Sequence, residues 1–425
     1  MITALRRFTS SRGVGKFRRN RLAVASLLVI AVYALIGGWV ALGDLAPGKL
    51  GISYAEVEQP VWPTPINGFG IPATNERRVE AARIITREVK RAVNNGEGFN
   101  DIRYGQLRML PGTADSDAEL ARLDGLIEQS EDLYDQLSAF DDLNNPEPPL
   151  LDDGTPDPDA IDVPATISKL ESTIQQMFAP LSGWQSFKQA MLHSLGTDRQ
   201  GRSNFLRVIF SIKVALQVGI VVAIISVFIG TFLGAAAAYF GGWVDHAVVW
   251  LYSTLSSMPE LILLAVLVYA FSGSVFDKVS NPWLALVPVY AAMCMEFWIG
   301  PCRVIRGETL KLKELEYIQA ATAIGFGRFY ILLKHIIPNT VHLMFINFSL
   351  LFIAAIKFEV VLSFLGLGVK VGPSWGRMIQ ESTQEVINGI FWQIGAATAF
   401  MFVLVLAFNI VSDALQDAFD PKHVG

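Results

Sequence analysis

The chain has 425 residues, of which 52% are hydrophobic and only 17% charged. A soluble protein of this length would spend more of its surface on charge, so an ordinary soluble globule is excluded and a membrane protein is expected. The net charge of −5 hides a segregation: residues 46–190 hold 24 acids against 12 bases, the remainder is net basic, and the two parts are expected to face different environments.

Seven basic residues precede the first apolar run, from Arg6 to Arg21, with no acid among them. The run itself, Leu22 to Leu42, is long enough to cross a hydrocarbon core of roughly 30 Å. It is longer than the apolar core of a cleaved signal peptide, so a signal anchor is expected, with the arginines holding residues 1–21 in the cytoplasm. Gly43-Asp44-Leu45-Ala46-Pro47-Gly48-Lys49-Leu50 nearly spells a phosphate-binding loop. It lacks the Ser or Thr that holds magnesium and follows a membrane helix rather than a strand, so nucleotide binding there is set aside.

Residues 44–190 form the acidic segment, long enough for a small, mainly helical domain outside the cytoplasm. Val79, Ala82, Ile85, Val89 and Ala92 mark one helical face; Leu120, Leu123, Ile127, Leu133 and Leu137 mark a second, with Thr113 and Asp115 as candidate caps. Ile167, Leu170, Ile174, Met177 and Leu181 alternate three- and four-residue steps, the seam of a helix packed on another helix. Asp141–Asp162, rich in Asp and Pro, reads as an exposed, mobile linker. Its cluster Asp152, Asp153, Asp157 and Asp159 lacks the spacing of a calcium loop.

Five further spans are expected within residues 191–425, near Val214–Tyr239, Ala247–Phe271, Trp283–Gly300, Val341–Leu365 and Phe391–Ser412. The fold class is therefore an all-α membrane protein with six transmembrane helices, the first at 22–43, and an insertion between the first two. Six spans return the C-terminus to the cytoplasm. The connection at about 303–338 then faces the cytoplasm too, consistent with its Arg303, Arg306, Lys311, Lys313, Arg328 and Lys334.

That connection contains Tyr317-Ile318-Gln319-Ala320-Ala321-Thr322-Ala323-Ile324-Gly325 and then Lys334-His335-Ile336-Ile337-Pro338-Asn339. The pattern predicts a short helix stopped by Gly325, a second helix from about Phe326, and Pro338 marking the turn into the fifth span. Ala320 and Ala321 are expected to offer a small-residue face to another protein. An ordinary amphipathic connector fits the same residues on physical grounds alone.

Three more segments stand in order along the chain: Leu195-Gly196-Thr197-Asp198-Arg199-Gln200-Gly201-Arg202-Ser203; Leu362-Ser363-Phe364-Leu365-Gly366-Leu367-Gly368 leading to Pro373-Ser374-Trp375-Gly376; and Ala407-Phe408-Asn409-Ile410-Val411-Ser412-Asp413 leading to Asp417-Ala418-Phe419-Asp420-Pro421. With the cytoplasmic motif they resemble, over residues 195–421, the second permease subunit of the dipeptide, oligopeptide and nickel ABC importers. The resemblance implies a permease that forms a translocation pathway with a homologous permease and imports peptides or similar small solutes. It further implies two cytoplasmic ATPase subunits, an extracytoplasmic solute-binding protein, and residence in the bacterial inner membrane. Gln319, Ala320, Ala321, Gly325 and Pro338 match the family's coupling loop, the segment that docks on the ATPase. Gln319 stands where the family usually has Glu, and Ser203 where it often has Asp. The chain itself is then no enzyme, ATP being hydrolysed by partners, and neither cofactor nor nucleic acid is expected.

Glu260, Glu296, Lys357 and Glu359 fall in or beside apolar spans and are candidate pathway or interface residues. Lys357 and Glu359 are two residues apart, so on a helix they point about 200° apart and should not pair. Cys294 and Cys302, about 12 Å apart on one helix, cannot bridge within it. The five histidines, His193, His246, His335, His342 and His423, are scattered, so neither a metal site nor a catalytic constellation is expected. Two other classes compete: a transporter driven by an ion gradient, which predicts inverted repeats and paired midplane charges, and a membrane-anchored scaffold or sensor that uses the external domain.

Overall fold

The computed structural model describes residues 20–45, 52–69, 71, 73–95, 103–104, 107–108, 117–144, 146, 161–178, 182–272 and 286–419. The basic residues before Asn20, the caps Thr113 and Asp115, most of the Asp/Pro linker with its Asp152–Asp159 cluster, Asp420, Pro421 and His423 lie outside them. The chain divides into two compact units: residues 1–53, 208–381 and 397–425 in the first, and 54–207 with 382–396 in the second.

The regular elements of the first unit are helices among the described residues, as a chain in lipid requires, since every backbone polar group must find its partner inside its own helix. Helix α1 (Arg21–Leu45) and helix α7 (Asn204–Phe240) are the first two candidate spans by length and composition. Helix α7 starts ten residues before the apolar run expected at Val214, because its polar first turns are neutralised rather than solvated. Lys213 is buried and pairs with Asp44 of α1. The approach of α1 is close: a Cβ at Gly37 would stand 2.7 Å from Leu216 Cδ1. The Tyr33 hydroxyl donates to the Phe400 carbonyl at 3.0 Å, tying α1 to the last helix, α17 (Trp392–Phe419).

Among the described residues four helices are long and apolar enough to cross a bilayer: Arg21–Asp44, Asn204–Phe240, Val341–Phe364 and Trp392–Asp417. The expected third span is not one rod. Helix α8 (Gly242–Ser256) and helix α9 (Glu260–Phe271) meet at 94°, and the two together make the count five only if the bent pair is one span. Pro259 causes the break: it offers no N–H, and it sits in extended backbone at ψ 124°. The expected span Trp283–Gly300 is likewise not a single long helix among the described residues. It appears as α10 (Val287–Phe297), which passes through Trp298 into α11 (Ile299–Lys313).

Glycine sets the spacing between α7 and α11. A Cβ at Gly230 would lie 2.5 Å from the Trp298 carbonyl, and one at Gly234 would meet the Cys302 backbone. Ala235, Ala236 and Ala237 extend this smooth face, so the two backbones approach without large side chains between them. The Arg306 guanidinium grips Asp245 of α8 through two bonds of 2.6 and 2.8 Å, fixing the middle of α11.

The second unit holds helix α2 (Tyr54–Glu58) and a core of three helices, α3 (Asn75–Asn95), α4 (Asp117–Leu137) and α5 (Val163–Gln176). The expected apolar faces meet there: Val79, Ala82, Ile85 and Val89 pack with Leu123, Ile127, Leu133 and Leu137, and with Ile167, Leu170, Ile174 and Met177. The side chains of Leu120 and Leu181 lie outside the described set. Burying one such Ile or Leu stabilises the bundle by about 1.5–3 kcal/mol. Asp162 caps α5, accepting from the Ala165 N–H, with Pro164 in the first turn where no partner is missed. A two-residue antiparallel pair, β1 (Arg103–Tyr104) with β2 (Leu107–Arg108), and helix α6 (Gly183–His193) complete the described elements before α7. Ser182 opens α6 with a reciprocal capping box to Gln185.

Candidate functional site

The expected coupling segment folds as a rigid knob. Helix α11 ends at Lys313, and after one extended residue, Leu315, helix α12 (Glu316–Ala323) begins. Gln319 spans that break by donating from Nε2 to the Glu314 carbonyl at 3.1 Å. Helix α12 ends where expected: Gly325 sits at φ 91°, its N–H bonds the Thr322 carbonyl, and the Phe326 N–H reaches the Ala321 carbonyl at 3.2 Å. These two bonds form a Schellman cap, and the left-handed residue it needs is strained for anything with a side chain.

The chain then runs through α13 (Arg328–Ile331), one wide π turn at Leu332–Ile336, and α14 (Ile337–Asn339), into α15 (Val341–Phe364). Pro338 lies in the first turn of α14 and lacks a donor, so the helical register is relaxed locally rather than broken. Asn339 closes the knob from this side, donating to the Tyr317 hydroxyl at 2.7 Å and to the His335 carbonyl at 2.8 Å.

The two expected alanines do different things. Ala321 is buried with Ile318, Ile331, Leu332 and Ile336 against Ala235, Ala236 and Ile305, so it anchors the knob to its own unit. Ala320 and Gln319 are exposed. Ala321 therefore does not belong to the outward small-residue face read from the sequence. Helical phase decides this: Ile318 and Ala321, three apart, share the inner face.

What the knob presents outward is larger and more apolar. Ile324 is 76% exposed and Phe329 64%, with Phe326 and Tyr330 about half exposed and stacked on each other at 5.2 Å. Sequence reasoning passed over these four because an aromatic among apolar neighbours beside a span reads as core. The signal available was their position around a glycine stop, where the chain reverses and one face must point away.

The four span charges do not form one site. Glu359 is buried and accepts from Ser363 Oγ at 2.7 Å, and Ser363 Oγ in turn accepts from the Val369 N–H at 3.1 Å. The glycines around it are packed just as closely: a Cβ at Gly376 would stand 2.5 Å from the Val360 carbonyl. Glu359 thus fastens the turn after α15. Lys357 is exposed and does not pair with it, as the helical phase predicts. Glu260 is exposed in the first turn of α9, and Glu296 is half-buried on α10, which packs against α9. Among the described residues no three His, Cys, Asp or Glu side chains group as metal ligands, and Cys294 and Cys302 are free thiols.

The segment Leu195–Ser203 is a clamp within the second unit. Thr197 Oγ1 accepts from the Ile66 N–H at 2.7 Å, while Gly196 at φ 71° leaves no room for a Cβ beside the Ile66 carbonyl. Asp198 is 2% exposed and accepts from Arg202 Nε at 2.7 Å and from Arg207 at 2.8 Å; Arg202 also meets Glu58 at 2.5 Å. Glu385 closes the cluster by accepting from the Arg199 N–H at 2.9 Å, and burial pushes its carboxyl up to about 7. Trp392 donates to Asn67 at 3.1 Å, so residues 382–396 belong with this unit although they lie far along the chain.

Residues 214–424 match the family model described as the binding-protein-dependent transport system inner membrane component, covering α7 from its eleventh residue through the knob to the last helix. The chain is 33% identical over 231 residues to the dipeptide transport system permease protein DppC of Bacillus subtilis, covering 54% of this chain and 69% of that one. It is 36% identical to the oligopeptide transport system permease protein OppC of Haemophilus influenzae over 54% and 70% of the two chains. It is 35% identical to the glutathione transport system permease protein GsiD of Pectobacterium atrosepticum over 54% and 73%. With the knob, the close-packed glycine helices and these relatives taken together, the chain belongs to the inner membrane component family of binding-protein-dependent transport systems.

Proposed function

We propose that this chain is one permease subunit of an ATP-driven importer for peptides or similar small solutes. It pairs with a homologous permease, and the translocation pathway lies between them. A solute-binding protein delivers cargo from outside, and two ATPase subunits dock on the knob from the cytoplasm. The chain spans the inner membrane six times with both termini in the cytoplasm, the bent pair α8–α9 and the run α10–α11 each counting as one span. Residues 44–190 form the extracytoplasmic insertion. The chain carries no catalytic residue; hydrolysis belongs to the partners.

The observation that carries this reading is the knob's two-sided build. Its inner face is fixed by Ile318, Ala321 and Ile331, and its outer face offers Ile324, Phe326, Phe329 and Tyr330 around a Gly325 cap. A rigid protrusion with an apolar outer face transmits motion only if a partner covers it, because so contiguous an apolar surface is costly to leave in water. The relatives' names supply the cargo class: a dipeptide, an oligopeptide and a glutathione system.

The test is affinity purification of the tagged chain in mild detergent, with identification of the co-purifying proteins and an ATPase assay. Recovery of a second permease and ATPase subunits, with hydrolysis lost on altering the knob, is expected. A chain that purifies alone from cells expressing the whole system, with no associated hydrolysis, contradicts the proposal.

A further inference from the structure

The second unit contains a cleft of about 1150 Å³ that the transport reading leaves unused. Three parts of the unit form it: the segment from Trp62 to Ala73, the face of α3 from Arg77 to Ile85, and the C-terminal half of α5 together with the end of α6. Its volume is slightly above the usual range for small-molecule sites, roughly 300–1000 Å³. Trp62, Ile66 and Ile71 provide apolar lining with exposed surface, enough for one or two hydrophobic side chains of a ligand.

The polar groups of the lining are uneven in a telling way. Of two adjacent arginines, Arg78 is fully engaged: it grips both oxygens of Glu171 at 2.7 and 2.6 Å and also donates to Asn75. Arg77 lines the same cleft, is half-buried, and has no carboxylate partner among the described residues. A guanidinium held partly out of water with its donors unspent is a carboxylate site, because its planar fork matches a carboxylate's two oxygens.

His193 is the second unspent group. Its ring lies edge-on to Trp62 at 6.1 Å, while Nε2 is buried and has no hydrogen-bond partner among the described residues. Burial lowers its basicity, so the imidazole is neutral near pH 7. In the tautomer that carries the proton on Nδ1, Nε2 is an acceptor in need of an N–H. Gln175 and Gln189, also in the lining, each carry a paired amide donor and acceptor, complementary to a peptide group.

We propose that this cleft binds a short peptide, its carboxylate on Arg77, an N–H on His193 Nε2 and its apolar side chains against Trp62, Ile66 and Ile71. An unsatisfied cation, an unsatisfied acceptor, free amides and an apolar wall are together what a peptide's own groups require. The site lies within one unit of this chain. It stands whether the bound peptide is cargo on its way to the pathway or a separate effector.

The test is equilibrium binding of a radiolabelled tripeptide, Ala-Phe-Ala, to the full chain in lipid nanodiscs without any partner subunit. The comparison ligands are the same peptide with a C-terminal amide, and phenylbutyrate, which has a carboxylate and a ring but no N–H. Saturable one-to-one binding is expected. It should weaken about tenfold or more for the amide and for Arg77→Gln, with no further loss when the two are combined. Ala73→Trp, a large side chain in place of a small lining residue, should block binding while melting and helicity are unchanged. Absence of saturable binding at millimolar peptide overturns the proposal, as does equal affinity for acid and amide. Phenylbutyrate binding as tightly as the peptide, indifferent to His193→Phe, removes the peptide assignment. Since no ATPase is present, this outcome is separate from that of the importer test above.

Discussion

Replacing Ile324 by Asp tests the knob's outer face without touching its anchor. Ile324 is 76% exposed, so the folded subunit loses little by the change. Full burial of an isoleucine is worth about 1.5–3 kcal/mol, and three-quarters of that area remains to be covered by a partner. Docking should therefore weaken by about 1–2 kcal/mol from lost burial alone, roughly five- to thirtyfold, and more if the new carboxylate is desolvated. The assay titrates purified ATPase subunit against the reconstituted permease pair and reads both affinity and peptide uptake. Ile324→Asp should insert and melt like the wild type while affinity and uptake fall. Unchanged affinity would refute the argument that this face is covered by the ATPase.

Further expectations concern the anchor, the helix contacts and the second unit. Ala321→Trp should overpack the cluster of Ile318, Ile331 and Ile336, abolish uptake and lower the melting temperature, whereas Ala320→Ser at the exposed neighbour should do neither. Gly230→Val drives a side chain into the Trp298 carbonyl and should cost about 1–3 kcal/mol in detergent melts, while Gly300→Ala, with open space around it, should be silent. Asp198→Asn removes the charge that compensates the buried Arg202 and Arg207; a loss of about 3–5 kcal/mol, seen as collapse of folded yield or proteolysis of the second unit, is expected. Glu385 is held up at about 7 from an ordinary 4.5, so the folded state binds its proton more tightly than the unfolded state does. That contribution to stability is complete below about pH 4.5 and is lost as pH rises to about 7, so Glu385→Gln should melt progressively higher than wild type across this window, and parallel melting curves would contradict it.

The bundle of the second unit was readable because its faces repeat at helical spacing: Val79, Ala82, Ile85 and Val89 needed only periodicity to be placed on one side. Gly325 was readable for a different reason, since a glycine after a short amphipathic run has few roles other than a helix stop. The break at Pro259 was hidden by hydropathy, which records how apolar a stretch is and not whether its backbone bonds continue. The helix expected from Val214 begins at Asn204 instead, because Arg207 and Lys213 are helical residues neutralised from elsewhere in the chain. Long-range pairs such as Trp392 with Asn67 leave no local trace, so the membership of residues 382–396 in the second unit could not be read. In the candidate site the motif positions were legible, but the division of labour between Ala320 and Ala321 was not, because it depends on what lies beneath the helix.

The claim at the centre of this account is that the knob around Gly325 touches an ATPase subunit. Site-directed cross-linking measures this most directly: Ile324→Cys in the full chain, co-expressed with its partner subunits, treated in membranes with a short bifunctional thiol reagent. A cross-linked product containing the ATPase subunit, altered in yield by added nucleotide and absent from the wild type, is the predicted result. No ATPase adduct from Ile324→Cys in a complex that still takes up peptide would place coupling elsewhere on the chain and contradict the account.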